Sequence, residues 1–155
     1  MPEIGRNAYH EAMEKILKSV GYKYQKIGVG KILIYKDTRK IYVDIAGKNL
    51  PYLGKYGEEA FPWETHIQPN RLDKIEREAE KYNAESWIAF CYAILKGKYK
   101  PHFSTLVTLN GINFGAKFIK TDNYRNHMKP RSPSWAVVDL PREKVVQITC
   151  DVEKI

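Results

Sequence analysis

Asp44 is the residue of this chain that most needs a chemical explanation. In residues 41–46, Ile41, Val43 and Ile45 alternate with Tyr42, Asp44 and Ala46. At the two-residue period of a strand, the first three side chains share one face and the others the opposite face. A carboxylate on a half-buried sheet face needs a partner. In a basic chain, one such partner is a divalent cation held against a phosphodiester. Glu11, on a helical segment ahead of the strand, offers a second carboxylate. Hard ions such as Mg2+ or Mn2+ take carboxylate and carbonyl oxygens, polarise a phosphate and lower the pKa of an attacking water. Trp63-Glu-Thr-His66 places Glu64 and His66 at alternate positions, a spacing that suits a metal pair or a base with its orienter. Plainer roles compete: Asp44 paired with Arg39 or a lysine across the hairpin, Glu11 paired with Lys15, and Glu64 and His66 as polar neighbours of a packed Trp63.

These residues have to be positioned by regular elements. Tyr9, Ala12, Met13, Ile16, Leu17 and Val20 recur at helical spacing, and Gly21 supplies a stop. Three antiparallel strands are expected next, over residues 22–27, 31–35 and 41–46, with residues 37–40 as a turn. Residues 47–68, rich in Gly, Pro and aromatics without a period, read as a long functional loop. Pro69 opens a second amphipathic helix marked by Leu72, Ile75, Ala79 and Tyr82. Residues 87–95 are apolar on both faces and read as a central strand. Asn110-Gly111 is a hairpin turn between residues 104–109 and 112–114, residues 116–120 form another strand, and residues 121–128 a short helix. Residues 135–140 and 145–152 are expected to close the fold as a hairpin pair. The order predicts an α+β domain, a mixed β-sheet flanked by helices.

Composition narrows the function classes. The 155 residues carry 43% apolar side chains and a formal charge of +8, from 26 Lys and Arg against 18 acids. That length fits one domain over residues 1–155, and the charge favours a polyanionic partner. The Lys, Glu and Tyr usage also suits a thermophile. With no bilayer-length apolar run and no signal-like N-terminus, the expected setting is intracellular, cytoplasmic, without a membrane partner. Cys91 and Cys150 lie in apolar segments and are expected as buried thiols, without zinc-site spacing. No serine or cysteine has the setting of a nucleophile, and Gly28-Val-Gly30 is too short to cradle a nucleotide phosphate.

Helix, acid-bearing hairpin, helix, strand is the core order of the PD-(D/E)XK nucleases, and Gly5-Arg6-Asn7-Ala-Tyr-His-Glu11 resembles the opening of archaeal Holliday-junction resolvases. The resemblance covers about residues 5–95. It implies a restriction-endonuclease-like core and magnesium- or manganese-dependent cleavage of double-stranded or branched DNA by a homodimer. It also implies Glu11 and Asp44 as metal ligands, and a glutamine, here Gln68, near the phosphate. The chain departs from the pattern twice. Ala46 stands where the catalytic lysine belongs, and Lys31 stands near the place of the first acid. Lys48 or Lys31 is then the candidate catalytic ammonium, and Asp37, or Glu64 with His66, the substitute for the missing acid, which makes Glu64 a third candidate metal ligand.

The last third interleaves cations with Tyr99, Tyr124 and His127, a mixture that suits backbone phosphates and stacked bases. Lys98, Lys100, Arg125, Lys129 and Arg131, together with Arg6, are the candidate DNA contacts, and Lys96, Lys117 and Lys120 belong to the same basic run. Three functions remain in play: a metal-dependent nuclease, a non-catalytic nucleic-acid-binding protein on a degenerate nuclease scaffold, and a structural or assembly protein.

Overall fold

A computed structural model describes residues 4–130 and 137–155. Helix α1 (Arg6–Val20) forms where the apolar spacing predicts it, burying Tyr9, Ala12, Met13, Ile16 and Leu17. It ends at Gly21, whose φ of 79° is the left-handed conformation that glycine adopts without steric cost. Strands β1 (Lys23–Gly28), β2 (Lys31–Lys36) and β3 (Arg39–Leu50) follow as antiparallel neighbours. Helix α2 (Pro69–Lys81) then carries the chain across to β6 (Glu85–Ile94), which lies parallel to β3. A parallel pair needs such a crossover, because a tight turn can only reverse the chain. Strands β7 (Val107–Leu109) and β8 (Ile112–Lys120) complete a six-stranded sheet of order β1-β2-β3-β6-β8-β7.

The sheet divides two cores. On one face, α1 packs over Ile32, Ile34, Ile41, Val43, Ile45, Ala89, Cys91 and Phe118. On the other, α2 lays Leu72, Ile75 and Ala79 over Leu33, Tyr42, Ala46, Ile88 and Phe90. Each fully buried aliphatic side chain contributes about 1.5–3 kcal/mol by leaving water, so the two layers together hold β3 and β6 in place. The expected α+β class and the central position of β6 are what the structure has. Among the described residues no helix is long and apolar enough to cross a membrane. Cys91 and Cys150 are free thiols, Cys91 buried and Cys150 partly so.

Three expectations are corrected. Strand β3 does not stop at residue 46 but runs to Leu50, because β6 pairs with it along its whole length. The expected loop over residues 47–68 therefore begins as strand and contains a small hairpin, β4 (Tyr52–Leu53) with β5 (Glu59–Phe61). The closing hairpin does not form. After α3 (Thr121–His127), the short strand β9 (Lys129–Pro130) pairs with β10 (Val138–Asp139). Residues 145–148 wind into a single helical turn, α4 (Val145–Ile148), with Val145 buried, and Cys150 makes one isolated bridge to Phe118. Trp135, the first residue of the expected hairpin, lies outside the described residues.

Candidate functional site

Strands β2 and β3 part at Lys31 and Asp44, which face each other across the ladder. Opposed residues of an antiparallel pair point to the same side, so ammonium and carboxylate both turn toward α2. Beyond this point β3 has lost β2 as a neighbour. The Ile45 N–H instead donates to Gly30 O at 2.8 Å, and Ile45 O accepts from Arg71 Nη2 at 3.1 Å. The divergence opens a cleft of about 670 Å³ between the β1–β2 turn, β3 and α2.

Arg6, Lys31, Arg71 and Lys74 bring four cations to its wall, against the two acids Asp44 and Glu78. Arg71 Nη2 sits 2.9 Å from Asp44 Oδ1, with the Asp44 side chain 13% exposed. Arg6 Nη2 reaches Val29 O at 3.4 Å, and the Gly30 N–H donates to His10 Nδ1 at 2.9 Å, so α1 braces the turn that forms one wall. The Lys81 ammonium, with Lys31 and Lys74 adding a smaller pull, holds the Glu78 carboxyl below its ordinary range. Tyr42 lines the same cleft, and its hydroxyl is buried without a hydrogen-bond partner. Burial, then the Asp44 charge, pushes its pKa upward, so it stays a neutral donor. A buried hydroxyl left unpaired costs about 1–3 kcal/mol.

Glu11 does not join Asp44. It lies on the side of α1 opposite the buried stripe of Tyr9, Ala12, Met13 and Ile16, and is exposed. At 100° per residue it points away from the sheet, while α1 covers the face that Asp44 does not share. The expectation of two carboxylates converging on one cation is therefore replaced by a carboxylate facing a guanidinium. Lys48 shares the Asp44 face but lies four residues along β3, roughly 13 Å away at 3.3 Å per residue. It is buried and donates to His66 O at 2.8 Å, holding the segment that leads into α2. Glu64 contacts His66 Nδ1 there, and its carbonyl accepts from Tyr92 Oη at 3.0 Å. This second polar group sits at the far end of β3, apart from Asp44.

The donor set of the Asp44 cleft does not fit Mg2+ or Mn2+. Such ions want several oxygen ligands. The cleft brings two carboxylates, Asp44 already accepting from Arg71 with Lys31 opposite it, and Glu78 already accepting from Lys81. No group of three His, Cys, Asp or Glu side chains that could hold a metal ion occurs among the described residues.

The candidate DNA contacts separate into three sets. Arg6 lines the cleft, and Gln68 lies exposed just before α2. Lys100 and Lys129 are exposed, while Lys98 is held 3.1 Å from Glu59. Arg125 is occupied, with Nη2 at 2.7 Å from Asp73 and 2.6 Å from Glu76, so it pins α3 to α2. Lys117 is buried beside Asp151 at 2.8 Å, and Tyr124 is buried with its hydroxyl 2.7 Å from Thr65 O. Arg131 lies outside the described residues. The notable omissions from the sequence reading are Arg71, Lys74 and Tyr42. Arg71, Lys74 and Glu78 are three and four residues apart beside the stripe of Leu72, Ile75 and Ala79. That helical spacing was the available signal that they border whatever α2 covers.

No family model matches this chain, and no curated protein sequence matches it. Among solved structures, it is similar to Hjc, a Holliday junction resolvase from Archaeoglobus fulgidus. The TM-score is 0.52 at 10% sequence identity, over 97% of this chain and 94% of that one. The likeness extends over the whole fold, a mixed sheet flanked by helices.

Proposed function

We propose that this protein binds DNA through the Asp44 cleft, as a non-catalytic nucleic-acid-binding protein on a resolvase-like scaffold. The observation that carries the reading is the salt bridge from Arg71 to Asp44, set in a wall that also brings Arg6, Lys31 and Lys74. Where a hydrolytic centre of the resembled family would gather acids around a metal, this cleft sets four cations against two acids, each acid already paired with a cation. Its net positive character attracts a phosphodiester directly. Arg71 offers a planar fork of donors, of which one nitrogen meets Asp44 and Ile45 O. The remaining donors can turn to phosphate oxygens. The overall charge of +8 would speed encounter with a duplex through long-range attraction. The proposed assembly is a homodimer, whose two clefts would contact two arms of a branched substrate; sedimentation equilibrium tests it.

Binding of labelled linear and four-way-branched DNA, in magnesium, in manganese and in chelator, tests the function. The expected result is a salt-sensitive complex that persists in chelator, with DNA length unchanged in every metal. Asp44→Asn is expected to keep or tighten binding a few-fold, because it removes a negative charge from the cleft. Metal-dependent cleavage abolished by Asp44→Asn would overturn the reading in favour of a nuclease.

A further inference from the structure

The hairpin β4–β5 carries an aromatic that the cleft does not use. Tyr56, at its tip, is 83% exposed, whereas the other exposed large apolar side chains of the described residues lie between 37% and 42%. An isolated exposed tyrosine is ordinary. This one is held out on an anchored support. The turn is closed by Gly54 N–H to Glu58 O at 2.7 Å and Gly57 N–H to Gly54 O at 3.0 Å. Gly57 follows Tyr56 at φ 78°, a conformation that costs other residues steric strain. At the root, Tyr52 and Phe61 pack ring to ring at 5.5 Å, and the Arg142 guanidinium lies 3.6 Å over the Phe61 ring. Glu59 of β5 accepts from Tyr99 Oη and lies 3.1 Å from Lys98. The root is thus fastened to the body of the protein while the tip stays bare.

We infer that Tyr56 is a stacking platform for an unpaired nucleobase, in a nucleic acid whose backbone lies in the Asp44 cleft. The inference rests on the cleft reading above. An exposed ring suits a base, and the Lys55 ammonium lies over one face of it, 5.7 Å from the ring centroid, as a cation for the adjoining phosphate while the base takes the other face. Strand β3 runs six residues from Asp44 to Leu50, where the hairpin begins, a span of roughly 20 Å at 3.3 Å per residue. One strand covers the span to that hairpin root in about six nucleotide steps of 3.4 Å, and Tyr56 stands six residues further along the chain. A blunt duplex has every base paired and offers the tip none, whereas a branch point or single-stranded overhang offers one.

The test uses the full chain with a blunt duplex and with the same duplex carrying a single-stranded overhang, read by fluorescence anisotropy. A 2-aminopurine in the overhang reports stacking directly. Wild type is expected to bind the overhang substrate more tightly and to quench the probe. Tyr56→Ala is expected to weaken overhang binding by between about 5-fold and about 150-fold, the range of one lost base stack, and to leave the blunt duplex unchanged. Tyr56→Trp should restore both affinity and quenching. The exposed position means that neither substitution disturbs a core, which thermal melting checks. Ribonucleotide overhangs in parallel tell a DNA base from an RNA base. Salt-sensitive duplex binding with identical overhang affinity in wild type and Tyr56→Ala overturns the platform and leaves the cleft reading standing. Wild type that binds none of these substrates overturns both.

Discussion

The two faces of β3 solve opposite problems with the same backbone. Toward α1, Ile41, Val43 and Ile45 meet Ala12, Met13, Ile16 and Leu17 in a dry core. Toward α2, Tyr42, Asp44, Ala46 and Lys48 alternate apolar with polar, and both charged groups are buried. The second face is tolerable because each charge has been given a partner: Arg71 for Asp44, and His66 O for Lys48. The contrast teaches that a buried acid on a sheet is not by itself a metal ligand. What decides is the side chain that the facing helix brings to it.

The dry face should show the largest effect. Leu17→Ala, at a fully buried position, is expected to cost about 2–5 kcal/mol in denaturant unfolding, through lost transfer energy and the cavity left behind. A cost below about 1 kcal/mol would mean that α1 is not the dry lid described. On the polar face, Arg71→Ala leaves the Asp44 carboxylate in the cleft without its guanidinium. The expected loss is smaller, about 1–3 kcal/mol, and a double-mutant cycle with Asp44→Asn should recover most of it. Additive losses would break the claimed pairing.

His10 belongs to the dry face but braces the wall of the polar one. Its burial lowers its pKa below the ordinary 6.5, more than Glu14 raises it, and its Nδ1 accepts the Gly30 N–H. A depressed folded pKa means that the unfolded chain binds the proton first. This contribution to stability is full above about pH 6.5 and is lost as pH falls toward the folded value. Melting from pH 7.5 to 5 should therefore fall more steeply for wild type than for His10→Gln. Parallel curves would remove His10 as the link. The smallest effect is expected from Lys74→Ala, on the rim of the cleft. It should leave stability within about 0.5 kcal/mol and reduce the salt dependence of DNA binding by about one phosphate contact. An unchanged slope would place the DNA elsewhere.

Much of the fold was legible because it is local. Helix α1, the first three strands, α2 and β6 each carry a period in their own residues, and Asn110-Gly111 announces its turn, both residues having positive φ. The failures share one cause. Residues 47–50 have no strand-like alternation of their own and are extended because β6 pairs with them; residues 145–148 look β-branched but wind into a turn that buries Val145. Pairing and burial came from residues distant in the chain, and local propensity yielded to them. The candidate site divided in the same way. Asp44, Lys31 and Arg6 were recognisable from the hairpin and the opening segment, and all three line the cleft. Glu11 was misplaced because an order of elements does not say to which side of a helix a glutamate turns.

The amino-acid sequence alone determined the periods of the elements, the positive charge, and the presence of one acid among the apolar residues of a strand. Only the tertiary structure decided what that acid meets. Helix α2 returns over the sheet and places Arg71 against Asp44, 27 residues apart in the chain, while α1 carries Glu11 to the other side. The physical reason is that a charge on a sheet face is stabilised by whichever group arrives within hydrogen-bonding distance. That arrival depends on the packing of two helices across six strands, which no local pattern encodes.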